Sequence, residues 1–375
     1  MSFLDSQWQG RLELLLAAGR AAGADLVEIF LERFDRLSVL AEQERVTSVN
    51  PSLGCGAGIR VFHGAADGFR DGFVSTTNLS DEGLMQALDQ ALGMLNLQRG
   101  ISNGHSFAGL NPLSNYGSSK QNWLTQCPGV QTSADRLLEG TAKLEQHGKH
   151  LQARRGSYSR DWQEMLVAAS DGTFSRDLRL HQTLGLSVLA ADGEHRSSVA
   201  RRFGSSDNPR DLIDWDADAA ARDISASSAT MLYADYIEAG SYPVVLANRF
   251  GGVIFHEACG HLLETTQVER GTTPFADKMG ELIAHESVTA IDEGLSPQSF
   301  GSLAVDDEGF EPQRTTLIEN GILKAFLSDR AGELRTGHAR TGSGRRQGHS
   351  YAAASRMRNT FIAAGPHSPA DLISS

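Results

Sequence analysis

Apolar positions recur at helical spacing across residues 8–23, and Gly23 offers a stop for the helix they predict. The period then changes. Residues 26–31, 36–40 and 59–62 alternate apolar and polar positions as strands do, and 68–69 with 72–74 add a short one. Ser80 or Asp81 is placed to cap a helix whose apolar spacing runs through Leu84, Ala87, Leu88 and Leu92. From about 98 to 120 the chain turns to Ser, Asn, Gly and Pro without periodicity, which predicts a loop. A helix is expected near 133–139, alternating segments over 151–204 with a hairpin at Asp192-Gly193, and a further helical stretch over 211–231.

A second block opens at Ser241 with an apolar run to Ala247 that reads as a buried strand, broken by Gly251-Gly252. Further on, Asn320-Gly321 between two apolar runs is a strong hairpin signal. Helices mixed with mostly antiparallel hairpins predict an α+β protein. Two domains are expected, an N-terminal α/β substrate-enclosing part over 1–232 and a β-rich part over 233–375. Ser368-Pro369 with Asp371 has the signature of a helix start close to the last residue, which leads us to expect truncation at the C-terminus.

Length and composition fit this picture. The 375 residues suffice for about two domains, and 40% hydrophobic with 21% charged residues is a globular balance. The net charge of −12 comes without a Lys/Arg run, so nucleic acid is not an expected partner. Cys55, Cys127 and Cys259 stand apart with no CxxC pair, and no apolar stretch is long enough to cross a bilayer. A cytoplasmic protein without a membrane partner is expected.

The chemistry concentrates in His256-Glu257-Ala258-Cys259-Gly260-His261. Two imidazoles to hold zinc and a carboxylate to take a proton from water are what metal-assisted amide hydrolysis needs. The spacing is i, i+5 rather than the familiar i, i+4. Five steps of about 100° leave the two rings roughly 140° apart on a regular helix. The site works only if the helix widens into a π-turn or ends between them, and Gly260 is the residue expected to permit this. Two unrelated histidines on an ordinary helix remain the alternative. Cys259 reads as a packing residue, and Gly54-Cys55-Gly56-Ala57-Gly58 as a turn rather than a phosphate loop. Asp306-Asp307-Glu308 reads as a solvated turn or as a structural or peptide-contacting element. Arg345-Arg346 reads as a surface ion pair or a substrate-carboxylate site. No spacing supports His285, His338 or His349 as ligands.

The motif, preceded by Gly251-Gly252, resembles the HExxxH signature of the TldD/PmbA family of metallopeptidases. The likeness continues at residues 288–294, 306–309, 317–321, 341–346 and 356–360. It is looser in the N-terminal half, chiefly at 58–61. The resemblance implies Zn2+ held by His256 and His261, with Glu257 as the general base that activates a zinc-bound water. It implies a flexible or unfolded peptide as substrate, and pairing with a motif-lacking relative or a homodimer. The family's third zinc ligand, a Cys in a Gly-rich segment, would lie beyond Ser375. A catalytically silent peptide-binding or assembly subunit is therefore the alternative. Peptide held as an added strand is the expected mode of binding.

Overall fold

The computed structural model describes residues 3, 7–66, 68–100, 105–210, 212, 214–248, 250–295 and 299–374. Its spine is one long sheet. Strands β1 (Leu26–Glu42), β2 (Arg45–Ala65) and β3 (Gly68–Thr76) form an antiparallel meander. After helix α2 (Asp81–Gly93), the two-residue strand β4 (Ser114–Asn115) and the helices α3 (Trp123–Gln126) and α4 (Val130–His147) come β5 (Leu151–Ala169), β6 (Phe174–Asp192) and β7 (His195–Ser206). The order is β3-β2-β1-β5-β6, with β7 pairing along β6 and β4 adding the one parallel pairing of this sheet.

Because the strands are so long, one face has room for two separate helix pairs. Helices α1 (Gln7–Ala21) and α2 pack Trp8, Leu12, Leu16, Leu84 and Leu88 on Val27, Ile29, Leu31 and Ile59. Helices α4 and α5 (Ala217–Leu232) pack Leu137, Leu144 and Ile224 on Leu37, Val39, Leu184 and Leu186 at the other end. Alternation along β1 thus serves both cores, and each fully buried Leu or Ile contributes about 1.5–3 kcal/mol. The two strands read at 26–31 and 36–40 are therefore one. Polar Arg33 and Asp35 between the cores interrupt the apolar pattern without interrupting the strand. Ser80 caps α2 by accepting from Gly83 N, and Gly193 makes the β6–β7 turn at φ +57°.

Residues 54–58 do not form a turn. They lie inside β2, where missing side chains let Phe34 cover Gly54 and the His349 ring cover Gly56.

The second block carries helix α6 (Phe250–Ala258), α7 (Thr265–Arg270), β8 (Ala290–Glu293), β9 (Arg314–Glu319) and β10 (Ile322–Leu323). They are followed by α8 (Arg330–Thr336), β11 (Gly344–Arg345), β12 (Ala354–Ser355), β13 (Asn359–Ile362) and α9 (Pro369–Ser374). Its sheet runs β10-β9-β8-β13, and its core gathers Leu263, Leu317, Phe326, Leu327 and Met357. Asn320 and Gly321 both take positive φ, 48° and 79°, as the hairpin turn requires. The expected strand at 241–247 is absent. That segment is exposed, with Val244 70% and Val245 50% accessible, and it pairs with no strand among the described residues. An apolar run specifies burial but not the neighbour that supplies it. Gly251-Gly252 lies within α6 rather than breaking a strand.

The two blocks meet on the sheet face opposite the helices, and charge lines much of the contact. Arg330 Nε donates to Glu28 Oε2 (3.0 Å) and Arg346 Nη2 to Glu28 Oε1 (2.8 Å), all three side chains nearly inaccessible. Arg179 pairs with Asp307 and donates to Val305 O (2.6 Å), and His349 Nδ1 donates to Glu32 Oε2 (2.9 Å). Asp306, Asp307 and Glu308 are thus buried structural groups, not a solvated turn. No helix among the described residues is long and apolar enough to cross a membrane.

Candidate metal centre

The i, i+5 problem is solved by ending the helix. Helix α6 stops at Ala258. Cys259 leaves helical geometry at φ −131°, ψ −48°, and a 3-10 turn runs over Gly260–Leu263. Cys259 N still donates to Phe255 O (3.0 Å), and Leu262 N to Cys259 O (2.9 Å). No π-turn forms. Gly260 has an ordinary negative φ, and its glycine identity is a packing requirement, since a Cβ there would stand 2.4 Å from Met357 Sδ.

The break brings the imidazoles together. The rings of His256 and His261 lie 4.7 Å apart between centroids and nearly perpendicular, at 86°. Glu257 Oε2 is 4.0 Å from His261 Nε2. One ligand atom from each of His256, Glu257 and His261 lies within 4.8 Å of the others, and this is the one such cluster among the described residues. Glu257 is exposed and the histidines half-buried, so the cluster opens outward.

A buried carboxylate that the motif reading did not include stands behind it. His261 Nδ1 donates to Glu264 Oε1 (3.0 Å), and Glu264 Oε2 accepts from Arg356 Nη1 (2.8 Å). Glu264 is fully buried. Since an ionised carboxylate only accepts, the proton sits on Nδ1, and Nε2 is left with its lone pair toward the cluster. Such an outer partner fixes both tautomer and ring orientation of a metal-binding histidine. Burial, then the neighbouring His261, lowers the pKa of His256 and favours the neutral imidazole a metal requires. Burial raises the carboxyl of Glu264, against the pull of Arg356 and His261. The donor set of two neutral imidazoles and an adjacent carboxylate fits zinc.

Models of the PmbA/TldA metallopeptidase family match three segments, domain 1 over residues 27–95, the central domain over 126–232 and the C-terminal domain over 239–375. The chain belongs to this family. It is 30% identical over 328 residues to the metalloprotease TldD homolog of Haemophilus influenzae, covering 85% of this chain and 66% of that protein. The zinc metalloprotease TldD homolog of Saccharolobus solfataricus is 37% identical over 129 residues, covering 34% of this chain and 29% of that protein. The chain thus spans no more than about two thirds of the length of either relative. Among solved structures, TldE from Thermococcus kodakarensis shares the fold at a TM-score of 0.72. It is 21% identical, with 97% of this chain and 80% of that chain covered.

The remaining candidates of this family member separate cleanly. Cys259 packs toward the core of the second block with Phe255, and burial raises its thiol pKa. His285 bonds to Ser287, His338 stacks on Phe326 and His349 serves Glu32, so none joins the cluster. Arg346 is no surface ion pair. It is buried on Glu28 and lies over the Phe30 ring at 4.3 Å. Arg345 is partly accessible, with Asp307 3.9 Å from its Nε.

Proposed function

We propose that this chain is a zinc-dependent metallopeptidase acting on flexible or unfolded peptides, with His256 and His261 as metal ligands and Glu257 as general base. The observation that carries the reading is the convergence of these three side chains across a helix break, with Glu264 locking the His261 tautomer. Zinc supplies a Lewis acid that polarises a carbonyl and makes water acidic at neutral pH. Within this frame Glu257 takes a proton from the attacking water and returns it to the leaving amine. His261 is held by Glu264 so that it cannot rotate its Nε2 away. Strand β13 is the edge of the second sheet and packs against α6, which supports peptide binding as an added strand beside the site. We further propose a division near residue 232 between a substrate-enclosing part and the metal-bearing part, and association with a motif-lacking relative or a second copy.

Metal analysis and one substitution test this. Purified protein is expected to hold near-stoichiometric zinc that His256→Ala abolishes, and Glu257→Gln to keep the zinc while losing peptide cleavage. Normal cleavage by Glu257→Gln would remove Glu257 from its role. A second reading rests on the ligand count. If Glu257 is the base, the described cluster offers two imidazoles where catalytic sites ordinarily have three protein ligands. A protein without zinc that still binds peptide would be the silent binding or assembly subunit.

A further inference from the structure

A cleft of about 800 Å3 opens between the long sheet and the second block, walled by β1, β5 and β6 on one side and by Phe300, Arg345, Arg358 and Asn359 on the other. Its charges are unevenly satisfied. Arg36 is engaged by Asp161 (3.1 Å) and, at 3.7 Å, by Glu32, and Arg160 by Asp35 (2.5 Å). Asp161 is the one acid lining the cleft. Arg345 differs from these arginines. Its guanidinium has no hydrogen-bond partner among the described residues, its Nε is buried, and Asp307 stands off at 3.9 Å. Arg358 lies alongside with an inaccessible side chain. Its Nε and Nη1 bond to Asp292, Thr341 O and Gly342 O, but its Nη2 is buried without a partner. His181, edge-on to Phe300 at 5.1 Å, is kept neutral by burial and then by the nearby Arg345 and Arg179.

Buried guanidinium donors left unpaired are costly, and a cleft bordered by such donors on Arg345 and Arg358 suits an anion that can take two of them at once. A carboxylate has that geometry. Strand β13 links the cleft to the candidate metal centre. Asn359 lines the cleft and opens β13, which packs on α6 and pairs with β8. Asp292 on β8 holds Arg358 and acts electrostatically on His256. The β13 edge therefore runs from the cleft, at Asn359, along the element that packs on the His256-bearing helix.

We propose that the cleft is a carboxylate subsite, in which Arg345, supported by Arg358, receives an anionic group of the bound peptide. This rests on the peptide-binding reading above and adds a specificity determinant to it. The anion is either the peptide's C-terminal carboxylate or an Asp or Glu side chain near that end, and binding measurements tell the two apart.

The assay is fluorescence anisotropy on the zinc-loaded Glu257→Gln protein, so that binding is read without cleavage. Three labelled six-residue peptides are compared: one with a free C-terminus and no acidic side chain, its C-terminal amide, and the amide carrying a Glu at its last position. A free acid that binds about tenfold or more tightly than the amide, with the difference lost in Arg345→Met, assigns the site to the C-terminal carboxylate. A gain confined to the Glu-bearing amide, again lost in Arg345→Met, assigns it to a side chain. Arg345→Lys, which keeps the charge without the fork, should retain part of either gain and replaces the Met variant if that one fails to melt cooperatively. Three peptides of equal affinity, unaffected at Arg345, overturn the subsite and leave the metallopeptidase reading standing. If none of the three binds, the peptide-binding reading fails and the subsite with it.

Discussion

Replacing Glu28 with Gln should cost this protein about 3–5 kcal/mol, because Glu28 is the buried anion on which two arginines of the second block converge. Arg330 Nε and Arg346 Nη2 each donate to one of its oxygens, at 3.0 and 2.8 Å, from side chains that solvent barely reaches. Gln keeps the volume and one acceptor, but turns an NH2 toward a guanidinium, takes the paired carboxylate from Arg346 and leaves Arg330 with Asp171 alone. Breaking a buried pair in this way costs about 3–5 kcal/mol. One effect opposes it. Burial first, then Glu28 itself, raises the carboxyl of Glu308 well above the ordinary range, and removing the Glu28 charge relieves that repulsion. Glu28 is bonded directly to both arginines, whereas its repulsion of Glu308 acts without a contact, so the lost pair dominates. The Glu28 carboxyl is lowered because Arg346 and Arg330 outweigh the burial that pushes it up. At roughly 2 °C per kcal/mol for a chain of this size, the first thermal transition should fall by about 6–10 °C. A double-mutant cycle with Arg346→Met, followed by tryptophan fluorescence in urea, separates the pair from bulk effects, with a coupling of at least about 1 kcal/mol expected. A Glu28→Gln loss below about 1 kcal/mol with additive single mutants would refute the argument that this pair joins the blocks.

Glu264→Gln should weaken zinc affinity about 10–100-fold in chelator competition, since the Nδ1 anchor of His261 loses its charge; an unchanged affinity would make Glu264 a packing residue. Gly56→Ala places a Cβ 2.2 Å from His349 Cδ2, so the ring must give up its 2.9 Å bond to Glu32. A loss of about 1–3 kcal/mol in urea unfolding is expected, and a neutral result would mean the ring moves freely. Burial, then Arg345 and Arg179, lowers His181 to about 4. Its folded value lies below the unfolded 6.5, so its contribution is whole above pH 6.5 and drains away as pH falls toward 4. The amount is up to about 3 kcal/mol. His181→Gln should flatten the stability profile in that window, and an identical slope would contradict the assignment.

Most elements were legible because their causes are local. The cap at Ser80, the Asn320-Gly321 and Asp192-Gly193 turns and the amphipathic spacing of α1 and α2 each need only neighbours a few residues away. The errors share the opposite property. Gly54, Gly56 and Gly58 look like a turn until Phe34, His349 and Phe73 cover them, and the run at 241–247 looks buried until its surroundings are known. Asp306-Asp307-Glu308 reads as a wet turn because nothing nearby in sequence explains its burial. The ion pairs that explain this contact region span 128 residues for Arg179–Asp307, 302 for Arg330–Glu28 and 318 for Arg346–Glu28.

The motif itself sits between these cases. Its i, i+5 spacing demands a departure from the helix, and that much follows from 100° per residue alone. Where the departure falls does not. Gly260 is the residue conformational freedom would choose, yet the backbone breaks at Cys259, and Gly260 is glycine because Met357 packs over it. Glu264, by contrast, was within reach of local reasoning. Once the helix ends after Ala258 and tightens into a 3-10 turn over Gly260–Leu263, the residue three on from His261 caps that turn, and Glu264 N donates back to His261 O (3.4 Å), which keeps the two residues together. A carboxylate at that position is therefore placed to accept the Nδ1–H hydrogen bond of His261. The same break that gathers the two histidines also supplies the anchor for the second of them.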